Sequence, residues 1–250
     1  KSDPRFIVEV SVDEADTPQG PRQILSILAM LADQSVPVQT IAPKFTGRFN
    51  KGVDYVGDLV QFEREFADDL CVIRYAVAAF GLPATLKLSV HSGSDKFSIY
   101  PIIGNLIRKH DCGLHLKTAG TTWLEEVIGL ALSGGRGLEI AKMIYRRAYD
   151  RREELCAPYA TVIDIKPEML PHPDTVDTWD TLKYAATLRH VPGDSDYNPG
   201  FRQLIHVGYK VAAEMGSEYT DALVTNAHII SSCVWENIYR RHIVRLFATS

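Results

Sequence analysis

Short apolar runs and longer stretches of helical period alternate along the first two-thirds of the chain. Residues 6–13 (Phe-Ile-Val-Glu-Val-Ser-Val-Asp) read as a strand with Glu9, Ser11 and Asp13 on one face, because side chains of a strand alternate with a period of two. Residues 36–42, 86–91, 113–118 and 160–165 read as strands in the same way, and 113–118 puts His115 and Lys117 on a common face. Between them, residues 21–33 carry Ile24, Leu25, Ile27, Leu28 and Leu31 at helical spacing, and residues 58–80 carry Phe62, Phe66, Leu70, Ile73 and Val77. Helices are also predicted over 99–109, 122–132, 138–155 and 221–247, with Gly81 and Pro83 stopping the long helix that ends near residue 80.

Repeated strand-helix-strand units imply parallel strands joined by right-handed crossovers, so the fold class is α/β. No Gly-x-Gly-x-x-Gly turn follows the first strand, which favours a (β/α) TIM-barrel-like parallel sheet over a dinucleotide-binding open sheet. The 250 residues are close to the length of a complete barrel. Only about five or six strands are convincing, however, and the chain opens at Lys1 with almost no lead-in. The expectation is therefore an incomplete barrel, the C-terminal portion of a longer protein, with residues 1–250 forming one barrel-like catalytic domain. Pro167, Pro171, Pro173, Pro192, Gly193 and Pro199 predict a long irregular connection over 166–200 around a short helix at 178–188.

Composition narrows the function classes. An apolar fraction of 46% supports an ordinary core, and a net charge of −4 gives no reason to expect a nucleic-acid surface. No apolar run approaches the ~20 residues that span a bilayer, and Lys1–Asp3 shows no signal-peptide pattern. Cys71, Cys112, Cys156 and Cys233 are widely spaced, which reads as buried reduced thiols and a cytoplasmic location.

Candidate chemistry gathers at the strand ends. The strand at 86–91 runs directly into His91, Ser92, Ser94, Asp95 and Lys96, more polar groups than a helix cap requires. In a parallel barrel the active site lies at the C-terminal ends of the strands. His, Asp and Lys supply a metal ligand, a proton carrier and a cation for an anionic substrate. A solvated antiparallel sheet would also alternate, and a polar turn before the next helix would also be hydrophilic, so the pattern alone leaves both open.

Four long runs, in order, resemble the tagaturonate epimerase family: Phe6-Ile-Val-Glu-Val-Ser-Val-Asp-Glu-Ala-Asp-Thr-Pro18, then residues 42–58 beginning Ala42-Pro-Lys-Phe-Thr-Gly-Arg-Phe, then His91-Ser-Gly-Ser-Asp-Lys-Phe-Ser-Ile-Tyr-Pro101, and His115-Leu-Lys-Thr-Ala-Gly-Thr121. The likeness runs over about residues 4 to 130 and returns at Gln203-Leu-Ile-His-Val-Gly-Tyr209 and Tyr239-Arg-Arg-His-Ile-Val-Arg-Leu-Phe247. It implies a metal-dependent barrel enzyme of hexuronate breakdown that converts tagaturonate to fructuronate. It also implies a longer protein than this chain.

Those two ketouronates differ at the hydroxyl-bearing carbon β to the ketone, whose hydrogen is not acidic, so enolisation alone cannot invert it. A retro-aldol route can: a base takes the β-hydroxyl proton, the bond between the α and β carbons breaks, and re-addition inverts the centre, with a divalent metal stabilising the enolate. The residues that suit such a site are His91, His115 and His206, each late in a predicted strand although the His206 segment also suits a helix, as ligands of Zn, Co, Ni, Mn or Fe, with Asp13 or Glu9 completing the set. Glu9 and Asp95 are the candidate bases, and Lys117 joins them as a catalytic candidate. Arg48, Lys96, Ser92 and Thr118 are candidates for binding a sugar-acid substrate, arginine being able to grip its carboxylate bidentately. A metal-dependent aldolase or other sugar isomerase, and a non-enzymatic uronate-binding scaffold, remain alternatives. If the strand phases are right, Glu9, Asp13, His91, His115 and Lys117 converge on one mouth, with the rings of His91 and His115 within about 8 Å of each other. Ser133-Gly-Gly-Arg-Gly137 reads as a helix-to-helix turn, and Arg146, Arg147, Arg151 and Arg152 as a solvated helix face balanced by neighbouring acids.

Overall fold

The computed structural model describes residues 6–248; the Lys1–Asp3 start lies outside them. Four of the apolar runs form parallel strands, β1 (Val8–Ser11), β2 (Val38–Ala42), β3 (Lys87–Val90) and β4 (Leu114–Leu116), in the spatial order β1-β2-β3-β4. The crossovers are the expected helices α1 (Pro21–Asp33), α2 (Leu59–Phe80) and α3 (Tyr100–Lys109). Local chemistry explains their ends. Pro21 opens α1, where its missing N–H costs nothing, and the Gln23 side chain accepts from the Gly20 N–H at 2.8 Å. Asp58 caps α2 by accepting from the N–H groups of Val60 (2.8 Å) and Gln61 (3.2 Å), and Gly81 ends it in the left-handed region at φ +67°.

Contacts divide the chain into two compact units. The first comprises the described part of Lys1–Arg48 together with Tyr55–Lys117, and it contains the sheet and α1 to α3. Its core includes Ile24, Leu28, Ile41, Phe62, Phe66 and Leu88, all fully buried, with Phe45 against Phe62 and Phe66 at ring-centroid distances of 5.3 and 5.8 Å. The second, Phe49–Asp54 with Thr118–Ser250, has helices and irregular segments but no strand among its described residues. It begins with α4 (Ala119–Ser133) and α5 (Gly135–Asp150), joined at Gly134 by the helix-to-helix turn. Arg146 and Arg151 of that unit are balanced by Asp174, Asp177, Glu154 and Glu214.

The sequence predicts more strands than form. Residues 160–165 are irregular: the Asp164 N–H donates to the Gln203 side chain at 2.9 Å and the Gln203 amide donates to the Asp164 carbonyl at 3.2 Å, so a side chain takes the place of a strand partner. Residues 199–207 form a helix, which removes the strand expected around His206. Among the described residues the sheet thus has four strands in an open row, an α/β arrangement without barrel closure. Over 166–200 a 3-10 turn, Pro167–Met169, and two short α-helices, Pro173–Asp177 and Thr181–Leu188, form. The single C-terminal helix expected over 221–247 is instead a series of pieces, including a π-helical stretch Glu236–Ile243. All four cysteines are free, but Cys71 is exposed and only Cys233 is buried, against the expectation of four buried thiols. No described helix is long and apolar enough to cross a membrane.

Asp69, on the inner face of α2, is a charge placed against the grain of the core, being 3% exposed. Burial, reinforced by the negative charges of Glu65 and Asp68, pushes its carboxyl up to about 7. A carboxyl whose folded pKa exceeds its unfolded one binds more protons when folded, so stability falls as pH rises from about 4 to about 7. The full effect is on the order of 4 kcal/mol. Asp69→Asn is expected to flatten that decline and to exceed the wild type in stability above about pH 7 in urea unfolding. A wild-type stability that does not fall across this window would contradict the assignment.

Candidate active site

Strand register builds the site. In the parallel pairing Glu9 of β1 lies opposite Thr40 of β2, and Ser89 of β3 lies opposite His115 of β4, so each functional group has a hydroxyl beside it. His91 follows β3 immediately and Asp13 follows β1 by two residues, which puts both at the C-terminal strand ends.

Glu9 is the centre of this arrangement. Its Oε1 accepts from His91 Nε2 at 2.8 Å and from Lys117 Nζ at 2.8 Å, and its Oε2 accepts from His115 Nδ1 and from Thr40 Oγ1, each at 3.0 Å. Both imidazole rings therefore meet one carboxylate, and the expected convergence of Glu9, Asp13, His91, His115 and Lys117 is what the structure shows. Burial opposes the Glu9 charge, but the hydrogen bonds from Lys117, Ser89, His91 and His115 outweigh it and hold the carboxyl well below the usual range. So strongly stabilised a carboxylate is a weak base as it stands.

The two histidines differ. His91 donates from Nε2 to Glu9 and from Nδ1 to Asp13 at 3.0 Å, while Ser11 hydrogen-bonds Asp13 and lies 3.5 Å from the same nitrogen. Burial favours the neutral ring, yet bonds to Asp13 and Glu9 and the Asp13 charge raise the His91 pKa against it. Asp13 is lowered in return, its burial outweighed by His91 and Ser11. The His115 Nδ1 lies 3.0 Å from Glu9 and 3.0 Å from Ser89 Oγ. A carboxylate only accepts, so Nδ1 carries the proton and the lone pair of the neutral ring is on Nε2.

The loop after β3 departs from expectation. Ser92 and Asp95 take positive φ values of 48° and 62°, and Gly93 packs where a Cβ would meet Leu116 at 2.5 Å and the Val90 carbonyl at 2.9 Å. These turns carry the chain inward. Asp95 and Lys96 are completely buried, and the Lys96 ammonium donates to the Ser94 carbonyl at 3.3 Å. The sequence suggests a substrate-facing base at Asp95 and a carboxylate clamp at Lys96; in the fold both side chains are buried. Ser92 is half-buried, and exposed Arg48 forms a backbone bridge with Val56. Thr118, in the second unit, stands at the start of α4, where its carbonyl accepts from the N–H of Thr121 at 3.0 Å. His206, in the same unit, is on helix Pro199–Val207 and lines a cavity of about 880 Å3 walled by Trp123, Tyr209 and Tyr219. A helix position removes the strand-end argument that named it. Thr40 and Ser89 were not foreseen, although a hydroxyl inside an otherwise apolar parallel strand is the signal that could have found them.

Among the described residues no group of three or more His, Cys, Asp or Glu is set out to hold a metal ion. The donor chemistry nonetheless fits a divalent transition metal: two imidazoles and two carboxylates, with His91 backed by Asp13 in the carboxylate–histidine manner of metal-ligating rings. Binding through His91 Nε2 would require Glu9 to release it.

Comparison with known proteins decides the family. Residues 1–243 match the profile of tagaturonate epimerase. The chain belongs to the tagaturonate epimerase family. This family member is 36% identical over 208 residues to the tagaturonate/fructuronate epimerase of Thermotoga maritima, covering 82% of the chain and 37% of that protein. It is also similar to crystal structures of fructuronate-tagaturonate epimerase UxaE from Cohnella laeviribosi, native (26% identity) and with one glycerol (27%), each at TM-score 0.76. Those alignments cover 96% of this chain and 45% of the other. This epimerase-family chain thus spans less than half the length of the relatives it matches.

Because its pKa is raised in the fold, the stabilising bonds of His91 are fully present below about pH 6.5 and are lost as pH rises through its folded value. A proton-detected NMR titration is expected to place His91 above the ordinary histidine value and to bring it down in Asp13→Asn and in Glu9→Gln. An unshifted His91 in both variants would show that the carboxylates do not hold it.

Proposed function

We propose that the protein containing this chain interconverts tagaturonate and fructuronate by retro-aldol cleavage and re-addition at the β carbon. The observation that carries this reading is the convergence of His91, His115 and Lys117 on the Glu9 carboxylate at the C-terminal ends of adjacent parallel strands. Family membership supports the substrate class. The same position at the strand ends supports reading the four-stranded sheet as an arc of a (β/α) barrel, and the free cysteines support a cytoplasmic location.

His91 and His115, with Asp13 completing the set, would hold a divalent metal, which when bound supplies Lewis acidity at the ketone. The remaining steps belong to side chains. What keeps Glu9 weakly basic is its set of donors, so a substrate hydroxyl that displaces Lys117 at Oε1 restores the basicity needed to take the β-hydroxyl proton. Lys117, once displaced, pairs with the uronate carboxylate. His91 remains clamped by Asp13, and Thr40 keeps the other carboxylate oxygen in place while the aldehyde fragment turns and re-adds. Glu9 then returns the proton to the inverted alkoxide.

The test is incubation of the full-length protein with tagaturonate and a divalent transition metal, with fructuronate as the expected product and chelator abolishing its formation. In deuterated water the hydrogen on the inverted carbon is expected to stay, since the bond broken is carbon to carbon. Absence of any ketouronate turnover sinks the epimerase reading; stoichiometric deuterium at that carbon sinks the retro-aldol route alone. Glu9→Gln is expected to lower kcat by about a hundredfold or more, a loss in the range of general-base contributions.

A further inference from the structure

We propose that Thr40 and Ser89 are positioning residues that fix the Glu9 carboxylate from the neighbouring strands and thereby commit His115 to presenting Nε2. The inference rests on reading this cluster as the epimerase site. Thr40 is 4% exposed and Ser89 is fully buried, so neither hydroxyl touches substrate. Thr40 Oγ1 donates at 3.0 Å to Glu9 Oε2, the same oxygen that His115 Nδ1 meets at 3.0 Å. Ser89 Oγ lies 3.0 Å from His115 Nδ1 and also hydrogen-bonds the Glu9 side chain.

The arrangement follows from register. Glu9 opposes Thr40 and Ser89 opposes His115, so two neighbouring cross-strand pairs each couple one ionisable group to one hydroxyl. A carboxylate on its own has a broad, nearly twofold terminal torsion and would swing between partners. With Oε2 held by Thr40, only Oε1 is left facing His91 and Lys117. With Nδ1 of His115 drawn to Glu9 and flanked by Ser89, the ring keeps its proton on the inward side and its lone pair on the half-exposed outer side. Such supporting hydrogen bonds are worth roughly ten- to hundredfold in affinity or activity where they have been removed elsewhere.

The experiment uses full-length protein bearing Thr40→Val, Thr40→Ser, Ser89→Ala or no substitution. It measures kcat and KM on tagaturonate, and the His115 tautomer by long-range nitrogen-proton NMR of the imidazole side chain. The wild type is expected to show the Nδ1–H form. Thr40→Val and Ser89→Ala should bring the Nε2–H form to a comparable population and lower kcat about ten- to hundredfold, with KM within about twofold. Thr40→Ser should restore both. Should the wild type prove inactive on every ketouronate while the tautomer still responds and Thr40→Ser still rescues it, the positioning stands and the epimerase reading falls. An unchanged tautomer in Ser89→Ala and in Thr40→Val overturns the proposal whatever kcat does. So does a kcat loss that Thr40→Ser shares; if Thr40→Val does not fold, Ser89→Ala and Thr40→Ser decide alone.

Discussion

One ionised carboxylate with too many partners for its burial organises the candidate site. Glu9 is 18% exposed, so water cannot fully solvate its charge, and the protein substitutes donors: Lys117 and His91 at one oxygen, Thr40 and His115 at the other. Thr40 comes from β2, His91 from the end of β3, and His115 and Lys117 from β4 and its end, so the carboxylate ties β1 to the other three strands. Weakening any one strand pairing would leave a half-buried charge short of donors, which costs more than the lost hydrogen bond itself. The site and the sheet are in this sense one construction.

The same feature sets what the cluster can do. A carboxylate surrounded by donors is poised as an anion, not as a base, and becomes basic only when something takes a donor's place. In the proposed reaction one substrate hydroxyl replaces Lys117 while the substrate carboxylate receives the displaced ammonium. Asp13, itself hydrogen-bonded by Ser11, holds His91 at the nitrogen opposite to the one that meets Glu9.

Much of this was legible in the chain because period-two alternation is a geometric necessity of strands. Spacing alone puts Glu9, Ser11 and Asp13 on one face, and His115 with Lys117 on another. Other features were not legible, for physical reasons. Residues 160–165 have strand-like composition, but the Gln203 amide satisfies Asp164 in place of a neighbouring strand, and such a distant side chain leaves no local signal. The short apolar run around His206 fits a strand or a helix equally, and the surrounding helix decided it. Composition cannot show that the loop after β3, with positive φ at Ser92 and Asp95, buries Asp95 and Lys96. Thr40 and Ser89 were silent for the opposite reason, as hydroxyls in apolar strands look like packing until the register pairs them with an acid and an imidazole.

The claim that Glu9 is the organising charge is tested most directly by a double-mutant cycle in unfolding free energy between Glu9→Gln and His91→Gln, measured near pH 6, where His91 is charged. A charge-assisted hydrogen bond between two mostly buried groups predicts a coupling of about 1.5–3 kcal/mol. A coupling indistinguishable from zero would mean that Glu9 and His91 are merely neighbours, and the account of the site built on their contact would fail.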